Sequence, residues 1–204
     1  MRVNKKKFIY LISPNKIYKK FFKDLQKVLE TGKISFFQLR LKKYSFKHKI
    51  LIGQKIKKVC KKNKVKFLIN DDPILAKRLC ADGCHLGQKD VNIKEARKII
   101  GKKIIGITCH NSIKLAKIVI KAKASYIALG AFYSSKTKKT NHVADVKILK
   151  KIKKITKTPI VAIGGINSKN YKKLLLNNAN FLAISGYIWN NKKYKPLEAI
   201  ERLK

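Results

Sequence analysis

Short apolar runs recur along the chain at 8–12, 34–39, 66–69, 83–86, 104–107, 126–129, 160–163 and 181–184. Each is brief and bounded by polar residues, the signature of a buried strand. Between them, segments 21–29, 50–59, 93–100, 113–120, 146–155 and 171–176 place apolar residues three and four apart. That spacing gives a helix one apolar face. Shorter helices are predicted over 74–79 and 197–203. Strands apolar throughout belong in a parallel sheet covered on both faces, and the intervening helices supply the cover. Eight strands in 204 residues, with no long linker, predict a single-domain α/β fold, a (β/α)8 TIM barrel over residues 1–204. A doubly wound open sheet is the alternative, but no GxGxxG follows the first strand.

Composition changes the picture in one respect. The chain carries 51 Lys and Arg against 10 Asp and Glu, a formal charge of +41, yet 45% of its residues are hydrophobic. The core is therefore of ordinary size and the excess Lys lies on its surface. Lys accompanied by abundant Ile and Asn reads as the drift of an AT-rich genome. The basic residues spread along all the helices, with no RNP-like aromatic strand, so no specific nucleic-acid partner is expected. A basic nucleic-acid-binding protein is the remote alternative, and its binding would be salt-sensitive. No run of about 18 apolar residues suggests a transmembrane helix, and the apolar run after the basic residues 1–7 is short for a signal peptide. Cys60, Cys80, Cys84 and Cys109 form no CxxC pair. The expectation is a soluble cytoplasmic protein with reduced thiols.

Against so basic a background, four of the ten carboxylates fall within twenty residues: Asp71, Asp72, Asp82 and Asp90. Hard oxygen ligands among many cations suit a Mg²⁺–diphosphate site. Asp71 ends the third strand, and Asp90 follows the fourth on the neighbouring loop, close enough to share one Mg²⁺. Each also stands where a helix cap belongs. Asp72, before Pro73, reads as the cap and Asp71 as the ligand, whereas Asp90 suits either role.

The other strand ends add to this list, because a barrel gathers its chemistry where strands hand over to loops. After strand two, alternation turns Gln38, Arg40 and Lys42 toward the mouth, and Leu39 and Leu41 away. Strand three also delivers Asn70. Strand five ends in Thr108, with a hydroxyl for the mouth, and His110, with Asn111 or Ser112 as the next cap. After strand six, Ser135, Thr137 and Lys138 lie in a long hydrophilic loop suited to diphosphate oxygens and to a lid. Gly164-Gly165 after strand seven and Ile184-Ser185 after strand eight occupy the usual phosphate corner of a barrel. A zinc site from Cys80, Cys84, His85, Cys109 and His110 matches the spacing of no closed zinc module.

Taken together, these segments resemble the thiamine phosphate synthase family. The matching runs are Gln38-Leu39-Arg40-x-Lys42, Asn70-Asp71, Ala81-Asp82-Gly83-x-His85-Leu86-Gly87-Gln88-x-Asp90, Gly106-x-Thr108-x-His110, Leu129-Gly130, Thr137-Lys138 and Ala162-Ile163-Gly164-Gly165-Ile166. They keep the family's order from about residue 7 to 190. The run through Asp90 is specific to the family, whereas the glycine pair fits many phosphate-binding barrels.

The resemblance implies condensation of hydroxymethylpyrimidine diphosphate with hydroxyethylthiazole phosphate, releasing pyrophosphate. Asp71 and Asp90 would bind Mg²⁺. Arg40, Lys42, Asn70, Ser135, Thr137 and Lys138 would hold the diphosphate, with Gln38 and Thr108 on substrate. Gly165, Ile184 and Ser185 would donate to phosphate. Lys138, Arg40 and Thr108 are the expected catalytic set. The partners would be these small-molecule substrates, with no membrane, and the barrel is compatible with a homodimer. The chain departs from the family at Leu41 (usually Glu), Asp72 (often Arg), Thr108 (Ser) and Tyr133-Ser134-Ser135. A sister thiazole tautomerase shares the glycine turns and His110, but does not need the complete diphosphate and metal set.

Overall fold

The computed structural model describes residues 7–134 and 143–204, and their chain closes into a barrel of eight parallel strands in sequence order. The strands are β1 (Ile9–Ile12), β2 (Ile34–Leu39), β3 (Lys66–Asn70), β4 (Gly83–Leu86), β5 (Ile104–His110), β6 (Tyr126–Gly130), β7 (Ile160–Ile163) and β8 (Phe181–Ile184). The helices are α1 (Phe21–Glu30), α2 (Phe46–Lys62), α3 (Pro73–Arg78), α4 (Ile93–Ile100), α5 (Ile113–Lys121), α6 (Lys147–Ile155), α7 (Tyr171–Leu176), α8 (Gly186–Trp189) and α9 (Pro196–Glu201). Every predicted strand is present. Among the described residues, no helix is long and apolar enough to cross a membrane.

Alternation along the strands splits the core in two. Ile9, Leu11, Phe37, Leu39, Phe67, Ile69, Cys84 and Ile105 face outward and pack with the helices. Tyr10, Ile12, Leu68, Tyr126, Ala128, Val161 and Ala183 face inward, with Phe36, Ile104 and Phe181 packed against them. The inner set fills the barrel, so substrate must bind at its mouth. A register shift between β1 and β2, where Ile9 pairs with Ile34 but Tyr10 with Phe36, sets the phase that turns Gln38 inward.

Apart from one unpredicted short helix, the differences from the predicted elements lie at polar ends, where apolar periodicity is silent. Helix α2 starts at Phe46 rather than 50, because the Ser45 hydroxyl accepts from the His48 amide (3.3 Å) and supplies a cap. Strand β5 continues to His110, with a register shift against β6 after Thr108. The short helix α8 was not predicted. The last helix is shifted to Pro196–Glu201, its start fixed by the Lys195 amide donating to the Glu198 carboxylate (3.1 Å).

Candidate active site

The four clustered carboxylates do four different things. Asp82 sits at the opposite end of the barrel, where it pairs with Lys66 (3.0 Å) and accepts from the Phe67 amide (2.8 Å), tying β3 to β4. Asp72 caps α3 by accepting from the Leu75 amide (2.8 Å). Asp71 and Asp90 remain for the mouth. Asn92, not Asp90, caps α4, and Ser112 caps α5.

Asp71 takes a left-handed backbone (φ 65°), held by its amide donating to the carbonyl of His85 (2.8 Å). This turn presents its carboxylate to the Lys42 ammonium at 3.0 Å. Asp90 is fixed by the Gly87 amide, which donates to it at 2.7 Å. The Asp90 carboxyl is held above its ordinary value, first by burial and then by the neighbouring Asp71 carboxyl, against the Gly87 hydrogen bond and the Lys42 charge. Two carboxyl groups thus converge on one lysine. Among the described residues, no group of three or more His, Cys, Asp or Glu is placed to hold a metal ion.

Alternation in β2 runs as predicted: Leu39 and Leu41 are buried in the outer core, while Gln38 points inside. Arg40 reaches the Asn15 side chain (3.1 Å), and its amide donates to the Ser13 hydroxyl (2.9 Å). Asn70 ends β3 in register with His85.

Inside the barrel a chain of hydrogen bonds crosses from β2 to β5. Gln38 Nε2 donates to the Tyr10 hydroxyl, Tyr10 bonds Tyr126, Tyr126 bonds His85 Nδ1, and His85 Nε2 bonds the Thr108 hydroxyl, each at 2.8 Å. Burial pushes both phenols well above their ordinary range, so they keep their protons. Sequence reasoning missed Tyr10 and Tyr126, because a tyrosine within an apolar run reads as packing. The signal available was an inward phase shared with Gln38. Ser13 was missed too. It is buried and knits β1 to β2, and its carbonyl accepts from the Ser185 hydroxyl (3.1 Å).

The opposite side of the mouth is built from backbone. Gly164 (φ 104°) and Gly165 (φ 61°) are left-handed, and added Cβ atoms would lie 2.3 Å from Ala131 Cβ and 2.4 Å from the Ser134 carbonyl. No larger residue fits either position. Asn170 secures the turn by donating to the Gly165 carbonyl (3.0 Å). Ile184 is buried at the end of β8, and Ser185 leads into α8. His110 is exposed at the end of β5. Ser135, Thr137 and Lys138 lie outside the described residues. Cys84 and Cys109 are buried, which pushes both thiols up to about 12. Cys60 is buried and raised further, whereas Cys80 is exposed.

Known proteins resemble this chain in both sequence and fold. The sequence pattern described as "Thiamine monophosphate synthase" matches residues 9–188. The thiamine-phosphate synthase of Pelagibacter ubique is 67% identical over the whole of both chains. That of Erythrobacter litoralis is 37% identical over 94% of this chain and 92% of its own. A solved thiamine phosphate pyrophosphorylase from Pyrococcus furiosus superposes with a TM-score of 0.86 at 26% identity, over 98% of this chain and 94% of that one. A full-length match of this kind, on a barrel whose mouth joins an aspartate pair to a glycine turn, leaves one conclusion: the chain belongs to the thiamine monophosphate synthase family.

Proposed function

We infer that this barrel is a thiamine-phosphate synthase, an alkyl-transferring enzyme of thiamine biosynthesis, and that diphosphate departs at Lys42, Asp71 and Asp90. The observation that carries the reading is the convergence of two carboxyl groups and an ammonium at the ends of β2, β3 and β4. Like charges this close repel, and a divalent cation between them would turn that repulsion into attraction. The donor set fits Mg²⁺: two hard oxygens from protein leave the rest of the shell to phosphate oxygens and water. When bound, Mg²⁺ would neutralise charge on the leaving diphosphate.

The chain's own residues supply the rest. Lys42 and Arg40 hold the diphosphate of the pyrimidine substrate, joined by Asn70 and by Ser135, Thr137 and Lys138, which follow β6 in the sequence. Their cations stabilise charge that grows as the carbon–oxygen bond breaks. Gln38 and Thr108 orient the heterocycle from inside the mouth. The thiazole phosphate lies against Gly165, Ile184 and Ser185, which brings its ring nitrogen to the carbon the diphosphate leaves. Positioning of two rings replaces any need for a strong base or a protein nucleophile. Three buried thiols held in their protonated form suit work in the reducing cytoplasm.

The test is a coupling reaction. Hydroxymethylpyrimidine diphosphate, hydroxyethylthiazole phosphate and Mg²⁺ are incubated with the protein, with and without EDTA, and the product is oxidised to a fluorescent thiochrome. The expected result is product that EDTA abolishes. Folded protein giving no product would contradict the reading, and product unaffected by EDTA would contradict the metal assignment.

A further inference from the structure

The buried chain from Gln38 to Thr108 has a direction, and the direction follows from counting protons. Gln38 presents Nε2, a donor only, to the Tyr10 oxygen. Tyr10 has one hydroxyl hydrogen, and its contact with Tyr126 is where that hydrogen goes. Tyr126 has accepted, so its own hydrogen goes to His85 Nδ1. An imidazole that accepts at Nδ1 carries its hydrogen on Nε2 and donates it to the Thr108 oxygen. The Thr108 hydrogen is then left to point elsewhere. Thr108 is the one half-buried member at the end of the chain, whereas Gln38, Tyr10, Tyr126 and His85 are buried.

A second feature shows that this arrangement is built in. Tyr126 stands on β6 and His85 on β4, with β5 between them. Their common partner in register is Gly106. A Cβ on Gly106 would lie 1.8 Å from Tyr126 Cζ, so only glycine lets the phenol cross the intervening strand. Having crossed, the ring stacks on the imidazole at 5.7 Å with planes 12° apart.

We propose that Tyr10, Tyr126 and His85 form a one-way hydrogen-bond relay that fixes His85 as the Nε2-protonated neutral imidazole. The relay thereby makes Thr108 a hydrogen-bond donor to an acceptor nitrogen on the bound heterocycle. The three are positioning residues, acting on substrate only through Thr108. The proposal rests on the functional reading above for the identity of that heterocycle, not for the relay itself. A site polarised as a donor favours a ring presenting a nitrogen lone pair and rejects one presenting N–H, since two donors would face each other.

The experiment is nitrogen NMR on protein labelled in its four histidines, recorded without substrate. The His85 signals are identified by their loss in His85→Gln. The expected spectrum has an unprotonated Nδ1 and a protonated Nε2 in a single tautomer. Tyr126→Phe and Gly106→Ala should both produce a tautomer mixture. Tyr10→Phe should also produce a mixture, because without the Tyr10 hydroxyl nothing obliges Tyr126 to donate to Nδ1 rather than accept from it. A protonated Nδ1 in the parent protein would mean that the Gln38 amide is turned over and the relay runs the other way, overturning the proposal.

Affinity is read by calorimetry with hydroxymethylpyrimidine diphosphate, independently of turnover. Thr108→Val and Tyr126→Phe should each weaken binding by roughly three- to tenfold, and Thr108→Ser should restore it. Unchanged affinity in Thr108→Val would overturn the role assigned to the relay. A protein showing the tautomer and the affinity losses but making no thiamine phosphate would instead refute the functional reading and leave the relay standing.

Discussion

The two sides of the barrel mouth differ in what they would offer an anion under the proposed function. At the ends of β2, β3 and β4 the work falls to side chains: Lys42 beside Asp71, Asp90 across from it, and Arg40 anchored on Asn15. At the ends of β7 and β8 it falls to backbone, through two left-handed glycines that admit no Cβ and a serine leading into a helix. Side chains can carry charge and bring a metal to a leaving group. Backbone amides carry no net charge and move little, so they suit a phosphate that must stay in place while the other departs.

Substitutions should separate the two sides. Asp90→Ala is expected to have the largest effect, a fall in kcat of about a hundredfold or more with the fold intact. Thiochrome yield alongside a thermal melt measures both. An unchanged rate would remove Asp90 from the departure side. On the other side, Gly164→Ala forces a left-handed residue against Ala131. It should cost about 1–3 kcal/mol of stability, seen in denaturant unfolding.

The titration of Asp90 gives a subtler contrast. Burial, then the Asp71 carboxyl, raises its pKa, so the folded protein holds this proton at a pH where the unfolded chain has released it. Between the unfolded and folded values the group subtracts from stability as pH rises, and that loss is recovered as pH falls back through the folded value. Metal-free Asp90→Asn should therefore melt above the parent at neutral pH, with the advantage shrinking in acid. Because the ionised carboxylate is the form that binds a cation, Mg²⁺ affinity by calorimetry should weaken in acid sooner than for an ordinary carboxylate. The smallest effect is expected at Asp72, where Asp72→Ala removes a helix cap for about 1 kcal/mol and leaves kcat within about twofold. A large kinetic loss there would show that charge beside Asp71 matters more than its capping bond.

The sequence was legible in proportion to how directly each role depends on residue type. Apolar runs determined all eight strands, because a strand buried on both faces has no other composition open to it. Asp72 was assigned correctly as the cap, since Pro73 marks where the helix begins. Asp90 was ambiguous because an aspartate before a helix has the same appearance whether it caps or not. The decisive residue was Asn92, two positions on, which does the capping. Asp82 belongs to the same cluster in sequence but to the far end of the barrel in space, because β4 begins immediately after it. The interior relay was least legible. Tyr10 and Tyr126 are 116 residues apart, and nothing in either neighbourhood says that their hydroxyls meet. Only closure of the sheet, with Gly106 opening the way across β5, brings them together.

The division of labour at the mouth is tested most directly by steady-state kinetics with both substrates varied, on Lys42→Ala and Gly165→Ala. Lys42→Ala is expected to lower kcat and raise the KM of the pyrimidine diphosphate, leaving the KM of the thiazole phosphate near the parent value. Gly165→Ala should do the reverse, raising the KM of the thiazole phosphate alone. If both variants disturbed the same substrate, the two sides would not be separate, and the account would be contradicted.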